Sequence, residues 1–360
     1  MAGAPADAFA ADPLTSVRAQ VNRLLRDFLA ERERRLVAVD GRLAPIGQAI
    51  SSLVLAGGKR IRPAFVYWGF RASGAAHSDA LWYPAAAVEL LQTFALIHDD
   101  VMDRSARRRG RPAVHVELAA HHGAAGLTGD GAWFGVGAAV LAGDLAFVWA
   151  DELFDETPVS VAERERGRVV FTELRTELMA GQYLDLLLAA SADADPAQAR
   201  RVALLKAGRY TVTRPLHLGA AIGGADLDLR AALTSYGDAV GVAFQLRDDV
   251  LGLFGDPGAT GKGVLDDLRQ GKRTVLMLEA LERCDPALRS VLEEALGDPN
   301  VDEATAERVR AIVRESGALA AVERQVRERF DEAVDALASL EGPAQRALRQ
   351  LAAQALFRDG

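Results

Sequence analysis

The sequence predicts an all-α protein built as one large helical domain. Apolar residues recur at helical spacing along most of the chain. Alanine, leucine, arginine and glutamate, all strong helix formers, fill those stretches. Runs of alternating β-branched residues are nearly missing, and neither a Pro/Ser linker nor an internal repeat divides the chain. The single domain is preferred although 360 residues would by length alone suggest about two.

Residues 1–13 are small and acidic and are expected to be disordered, with the folded domain over 14–360. They carry no basic stretch before an apolar core, so they do not read as a signal peptide. Val17, Val21, Leu24, Leu25 and Phe28 keep one helix face apolar. Ala86, Ala87, Leu90, Leu91, Phe94 and Ile97 do the same in a second helix. Helices are also predicted over 162–190, 197–222, 229–254, 273–283, 286–295, 302–314 and 317–338. Two glycine-rich stretches interrupt the pattern. His121 to Gly137 is expected to be a loop or a frayed helix start. Gly255 to Gly263 is expected to be a mobile loop, either a lid or a plain connector.

The bulk numbers exclude some functions. Half of the residues are hydrophobic, 26% are charged and the net charge is -8, which argues against a nucleic-acid partner. An acidic protein handling anions must concentrate its cations locally or recruit metal. Cys284 is the only cysteine, so no intrachain disulfide forms and a reducing compartment fits. No stretch reads as about 18 apolar residues, so no transmembrane segment and a cytoplasmic location are expected.

Asp99, Asp100 and Asp103 end the second apolar helix. On a helix, 99 and 103 stand one above the other with 100 about 100° away, so the carboxylates are expected to share one rim. Three such charges at a helix C-terminus repel each other and the helix dipole. Mg²⁺ is a natural counter-charge, because it takes one or two carboxylates and fills its shell with water and phosphate oxygens. Read alone, the motif is equally a solvated acidic helix end. Arg107, Arg108, Arg109 and Arg111 follow at once, and arginine forks match phosphate oxygens.

Phe244-Gln245-Leu246-Arg247-Asp248-Asp249 ends another apolar helix. Two helices ending in aspartate pairs suit a metal-bridged diphosphate, which helps to break a carbon–oxygen bond. Lys262, Asp266, Asp267, Lys272, Arg273 and Thr274 lie downstream, where lysines beside glycines can close over phosphate. Gly57-Gly58-Lys59-Arg60-Ile61-Arg62-Pro63 places three cations behind a glycine turn, either an anion site or a charged helix start.

These three motifs, in this order, resemble the trans-isoprenyl diphosphate synthase (polyprenyl synthetase) family from about residue 20 onward. The resemblance implies helices around a deep central cavity, a homodimer, and Mg²⁺ as cofactor, with three ions in the substrate complex. It implies 1'-4 condensation of isopentenyl diphosphate with an allylic diphosphate (dimethylallyl, geranyl or farnesyl). By matching position, Gly58, Lys59, Arg62, Gln92 and Arg109 would hold isopentenyl diphosphate, Gln92 standing where many members have His. Arg108, Lys206, Gln245 and Lys262 would contact the allylic diphosphate, and Lys272 is a further substrate-binding candidate. Asp99, Asp103 and Asp248 would bind Mg²⁺, with Asp100 and Asp249 as catalytic support. Gln182 and Asp185 match positions beside the metals. Two departures stand out. Gly252 occupies the third position of the second motif, usually Asp, and Ala207 follows Lys206 where Thr is usual.

Product length is expected to be set just before Asp99. Leu91 and Phe94 share a face that would floor the cavity, and otherwise are core. Small Ala95 with aromatic Phe94 resembles the pattern of members that make geranylgeranyl diphosphate; farnesyl or longer products are the alternative. A terpene cyclase lacks the basic loop that Lys59 and Arg62 represent. A non-catalytic subunit of a heteromeric synthase is argued against by the intact first motif and mildly favoured by Gly252.

Overall fold

The computed structural model describes residues 12–191, 195–255 and 265–357. The chain runs α1 (Thr15–Val39), α2 (Ala44–Leu55), α3 (Ile61–Ala72), α4 (Trp82–Met102), α5 (Val114–Ala124), α6 (Gly131–Asp155), α7 (Val161–Ala189) and α8 (Pro196–Val202). A π-helical stretch, Ala203–Thr213, leads into α9 (Arg214–Ile222) and α10 (Leu227–Phe254). Then follow α11 (Asp266–Arg269), α12 (Val275–Arg283), α13 (Pro286–Ala295), α14 (Glu303–Glu315), α15 (Ala318–Ala336) and α16 (Gly342–Leu356). Among the described residues the sheet content is one two-residue hairpin, β1 (Arg107–Arg108) antiparallel to β2 (Arg111–Pro112).

Side-chain caps start several of these helices. Asp130 accepts from the amides of Ala132 and Trp133, and Asp226 from that of Leu229. Ser160 and Glu163 form a reciprocal capping box. The core lies along α4, which packs on α6 and α3, and along α10, which packs on the π stretch and α15. Tyr67, Trp68, Leu90, Leu91 and Tyr236 are fully buried there.

The helical segments expected from periodicity are present, with three differences. His121–Gly137 is mostly helix: α5 runs to Ala124 and α6 begins at Gly131. Two of its glycines, Gly131 and Gly135, serve packing; a Cβ at Gly135 would stand 2.2 Å from the His115 carbonyl oxygen. The 197–222 segment is broken by the π stretch, where Gly208 meets Gly241 of α10; a Cβ on Gly241 would lie 2.4 Å from Gly208 Cα. The stretch 342–356, unassigned from sequence, is α16. Residues 1–11 and 256–264, and with them most of the expected mobile loop, lie outside the described residues.

Two helical spans, Asp79–Met102 and Gly131–Asp155, are long and apolar enough to cross a membrane by length and composition alone, which was not anticipated from the sequence. The first is 72% buried and is core; the second is 28% buried. Trp133, Leu141 and Val148 project from α6 into solvent.

Candidate active site

The first aspartate motif occupies the end of α4, with Asp103 as its C-cap. The three carboxylates do not share a rim. Asp99 and Asp103 face the cleft, whereas Asp100 is 1% exposed and turned onto Arg108. The two point apart because adjacent helical positions are about 100° apart. Arg108 Nε donates to Asp100 Oδ1 at 2.8 Å, and its Nη2 lies 3.5 Å from Asp99 Oδ2. The hairpin β1–β2 therefore holds Arg108 buried beneath the motif.

The rim is lined with counter-charges. Lys206 Nζ donates to Asp99 Oδ1 at 3.2 Å and to Asp185 Oδ2 at 2.6 Å. Gln182 Nε2 also reaches Asp99 Oδ1, at 3.2 Å. Lys272 Nζ donates to Asp103 Oδ2 at 3.0 Å and stands 3.4 Å from Asp267 Oδ1. Burial opposes the charge on both lysines, but the facing carboxylates outweigh it and raise their pKa values. Gln270, unassigned from sequence, donates to the Asp103 carbonyl at 3.3 Å.

The second motif lies within α10, not at its end; the helix continues to Phe254. Asp249 is buried and accepts from Gln245 Nε2 at 2.7 Å. Burial pushes its carboxyl up to about 8; the nearby charges of Asp267 and Asp248 add to this, and the Gln245 hydrogen bond opposes it. A cation brought beside this pair would reverse that shift. Asp248 is half-buried on the same helix. Lys262 lies outside the described residues.

The basic residues form a second compartment. Gly58, Lys59, Arg62, Gln92 and Arg109 line one cavity of about 170 Å³. Gly57 and Gly58 have φ of 101° and 146°, a backbone that favours glycine. Arg109 Nη1 donates to the Gly57 carbonyl at 2.5 Å, which ties the hairpin to this loop. Arg62 Nη2 donates to Thr211 Oγ1 at 2.8 Å, and its guanidinium sits 4.6 Å over the Tyr210 ring. Arg60 is different: it is buried and spent on Glu89 (2.5 Å), Asn22 and the Val54 carbonyl. All three of the loop's cations line the cavity; Lys59 and Arg62 are the ligand-binding candidates, and Arg60 anchors the loop. Gln354 of α16 and Phe244 of α10 also line this cavity. Gln92 and Asp99 lie on one face of α4, about two turns or 10 Å apart.

Below Asp99, Leu91 is fully buried, Ala95 is half-buried and Phe94 is 6% exposed. Phe94 packs edge-on against Phe147 of α6, centroids 5.1 Å apart, and against His98 at 4.7 Å. Phe147 carried no signal in the sequence, since its partner is 53 positions away (147 − 94).

Among the described residues no three acidic, histidine or cysteine side chains converge on one point as a metal site. The donors nevertheless suit Mg²⁺. They are hard carboxylate oxygens, supplied in ones and twos by separate elements, and Mg²⁺ takes one or two such groups and completes its shell with water and phosphate oxygens.

An all-helical cleft with aspartates on two helices and an adjoining basic cavity defines a trans-prenyltransferase. The polyprenyl synthetase family model matches residues 44–314, and the chain belongs to that family. It is 34% identical over 289 residues to the geranylfarnesyl diphosphate synthase of Aeropyrum pernix, covering 79% of this chain and 84% of that one. It is 34% identical to the geranylgeranyl diphosphate synthase of Mycobacterium tuberculosis, covering 78% and 75%. Its fold matches the geranylgeranyl pyrophosphate synthase of Corynebacterium glutamicum, a structure complexed with isoprenyl diphosphate and magnesium. That match has a TM-score of 0.91 and 35% identity, covering 95% of this chain and 99% of the other.

Proposed function

We propose that this chain joins isopentenyl diphosphate to an allylic diphosphate, 1'-4 and head-to-tail, and releases geranylgeranyl diphosphate. The observation that carries the reading is the adjacency of two anion sites of different character. One is the cavity of Lys59, Arg62 and Arg109, in which the carboxylate of Glu89 is paired with Arg60 and the remaining charge is cationic. The other mixes carboxylates with Lys206 and Lys272. A diphosphate that must stay intact suits the first, and one that must leave suits the second.

Asp99 and Asp103 on one wall and Asp248 on the other would hold Mg²⁺, which neutralises charge growing on a departing diphosphate. Lys206 and Lys272 reach the same space and would follow that charge as it develops. The allylic carbon–oxygen bond breaks with its electron pair on the diphosphate. The π pair of isopentenyl diphosphate then forms the new carbon–carbon bond. The proton lost next goes to an oxygen of the departed diphosphate. Gln92, Arg62 and Arg109 keep the second substrate from leaving.

The edge-on packing of Phe94 on Phe147, just before Asp99 on α4, supports a twenty-carbon limit, with the pair as the floor that would stop the growing chain. Phe94→Ala should shift the product toward longer chains, read by chromatography after phosphatase treatment with each allylic primer. An unchanged product length would remove Phe94 as the floor.

A homodimer is supported by the apolar stripe Trp133, Leu141 and Val148 on α6, flanked by Met179, Tyr183 and Leu186 of α7. Sedimentation should give a dimer, with Leu141→Glu shifting it toward monomer; a monomeric wild-type chain would contradict the assignment.

A further inference from the structure

We propose that Arg175 clamps the Phe147 ring against Phe94 and so makes the chain-length stop two layers deep. The proposal rests on the prenyltransferase reading above. Arg175 belongs to no motif, and its place follows from three helices. On α7 it lies seven positions before Gln182 (182 − 175), two turns or about 10 Å. On α4 Phe94 lies five positions before Asp99 (99 − 94), about 7.5 Å. Gln182 and Asp99 meet at the cleft. Followed back from that contact, the two helices are bridged by Phe147 of α6. Its ring meets Phe94 edge-on at 5.1 Å, and the Arg175 guanidinium stands 5.3 Å from its centroid. Arg175 is therefore one layer deeper than Phe94.

Each nitrogen of the guanidinium is occupied. Nη1 donates to Asp151 Oδ1 at 2.8 Å, one turn beyond Phe147 on α6. Nη2 donates to Thr172 Oγ1 and Nε to the Phe171 carbonyl, both at 3.3 Å. The guanidinium also lies 4.6 Å over the Phe171 ring, which is stacked on Phe154 at 4.7 Å. Arg175 is thus fixed by α6 and α7 together, with its side chain 17% exposed. A phenyl ring alone is a soft stop, because it can change rotamer and let a chain by. A ring beside a fixed guanidinium cannot turn away without losing the cation–π contact. An apolar tail pushing past Phe147 would also strip the guanidinium of partners that the tail cannot replace. Phe94 meets the growing chain first. Arg175 is a positioning residue that, through Phe147, sets how far the chain can go once Phe94 yields.

The test is the product distribution from farnesyl diphosphate, Mg²⁺ and labelled isopentenyl diphosphate. It is read by chromatography after phosphatase treatment, each variant against the wild-type product. Arg175→Met keeps an unbranched apolar stem and removes the charge. It should raise the ratio of longer to wild-type-length product about 5- to 30-fold, the scale of a partly desolvated cation–π contact, with the rate of the first condensation unchanged. Arg175→Lys keeps a cation and should hold the wild-type length. Phe94→Ala should lengthen products to one new limit, and the double variant Phe94→Ala, Arg175→Met should move that limit on again. Asp151→Asn loosens the same clamp from the other helix and should shift the ratio in the same direction. It reads the clamp should Arg175→Met fold poorly in a thermal melt. Unchanged product length in Arg175→Met and Asp151→Asn, alone and with Phe94→Ala, would overturn the proposal. Equal lengthening in Arg175→Lys and Arg175→Met would overturn it too, because the charge would then not matter. No condensation by the wild-type chain would instead overturn the prenyltransferase reading beneath it.

Discussion

Asp99→Asn is expected to lower kcat for chain extension by about 10²–10³-fold, the scale seen when one preorganised charge contact is removed. Asn keeps the volume and the contacts to Gln182 and Lys206, so the fold should be unaffected. What disappears is one negative charge on the wall that would hold Mg²⁺. Lys206, left facing Asp185 alone, does not replace it. Asp100→Asn, one residue away, should behave differently. Asp100 is buried against Arg108, and breaking a buried pair costs about 3–5 kcal/mol. It should therefore melt at clearly lower temperature. The comparison is made with kcat and a thermal melt on both variants. A normal kcat in Asp99→Asn, or an unchanged melt in Asp100→Asn, would contradict these placements.

The second large effect is confined to one substrate. Arg62→Gln should raise KM for isopentenyl diphosphate by about 10–100-fold, since a hydrogen bond to a charged group contributes about 1.5–3 kcal/mol. Thr211 and Tyr210 hold the Arg62 guanidinium in place, so its fork meets the ligand already oriented. KM for the allylic substrate should hardly move, because Arg62 lines the basic cavity and is held there by Thr211 and Tyr210. Steady-state kinetics with each substrate varied in turn separates the two. A parallel rise in both KM values would mean that the two compartments are not distinct.

The helices were legible wherever an apolar stripe met strong helix formers, as at 162–190 and 229–254. They were not legible at 131–137, where glycine reads as a loop until its partner is known. Gly135 makes that point: its lack of a side chain serves the His115 carbonyl, a contact no local pattern reveals. The π stretch at Ala203–Thr213 was likewise hidden; within it Gly208 meets Gly241 of α10 at close range, a contact that no local pattern reveals.

The site was legible as a set of residues and less so as a set of roles. Lys59, Arg62, Gln92 and Arg109, which the family resemblance grouped, line one cavity. Arg60 and Asp100 look identical in sequence to their neighbours, yet both are buried in ion pairs. Helix phase decides which of two adjacent like residues faces the cleft, and a one-residue difference in phase is set by tertiary packing. Gln354, Phe147 and Gln270 come from distant segments and carry no motif. Their places emerge only when α16, α6 and the turn after α11 are packed on the core.

The most direct test of the account is chain extension by this protein alone. The purified chain is incubated with Mg²⁺, farnesyl diphosphate and labelled isopentenyl diphosphate, and the products are separated after phosphatase treatment. Label should appear in geranylgeraniol, and a chelator should abolish it. No incorporation of label by the protein alone would contradict the central claim.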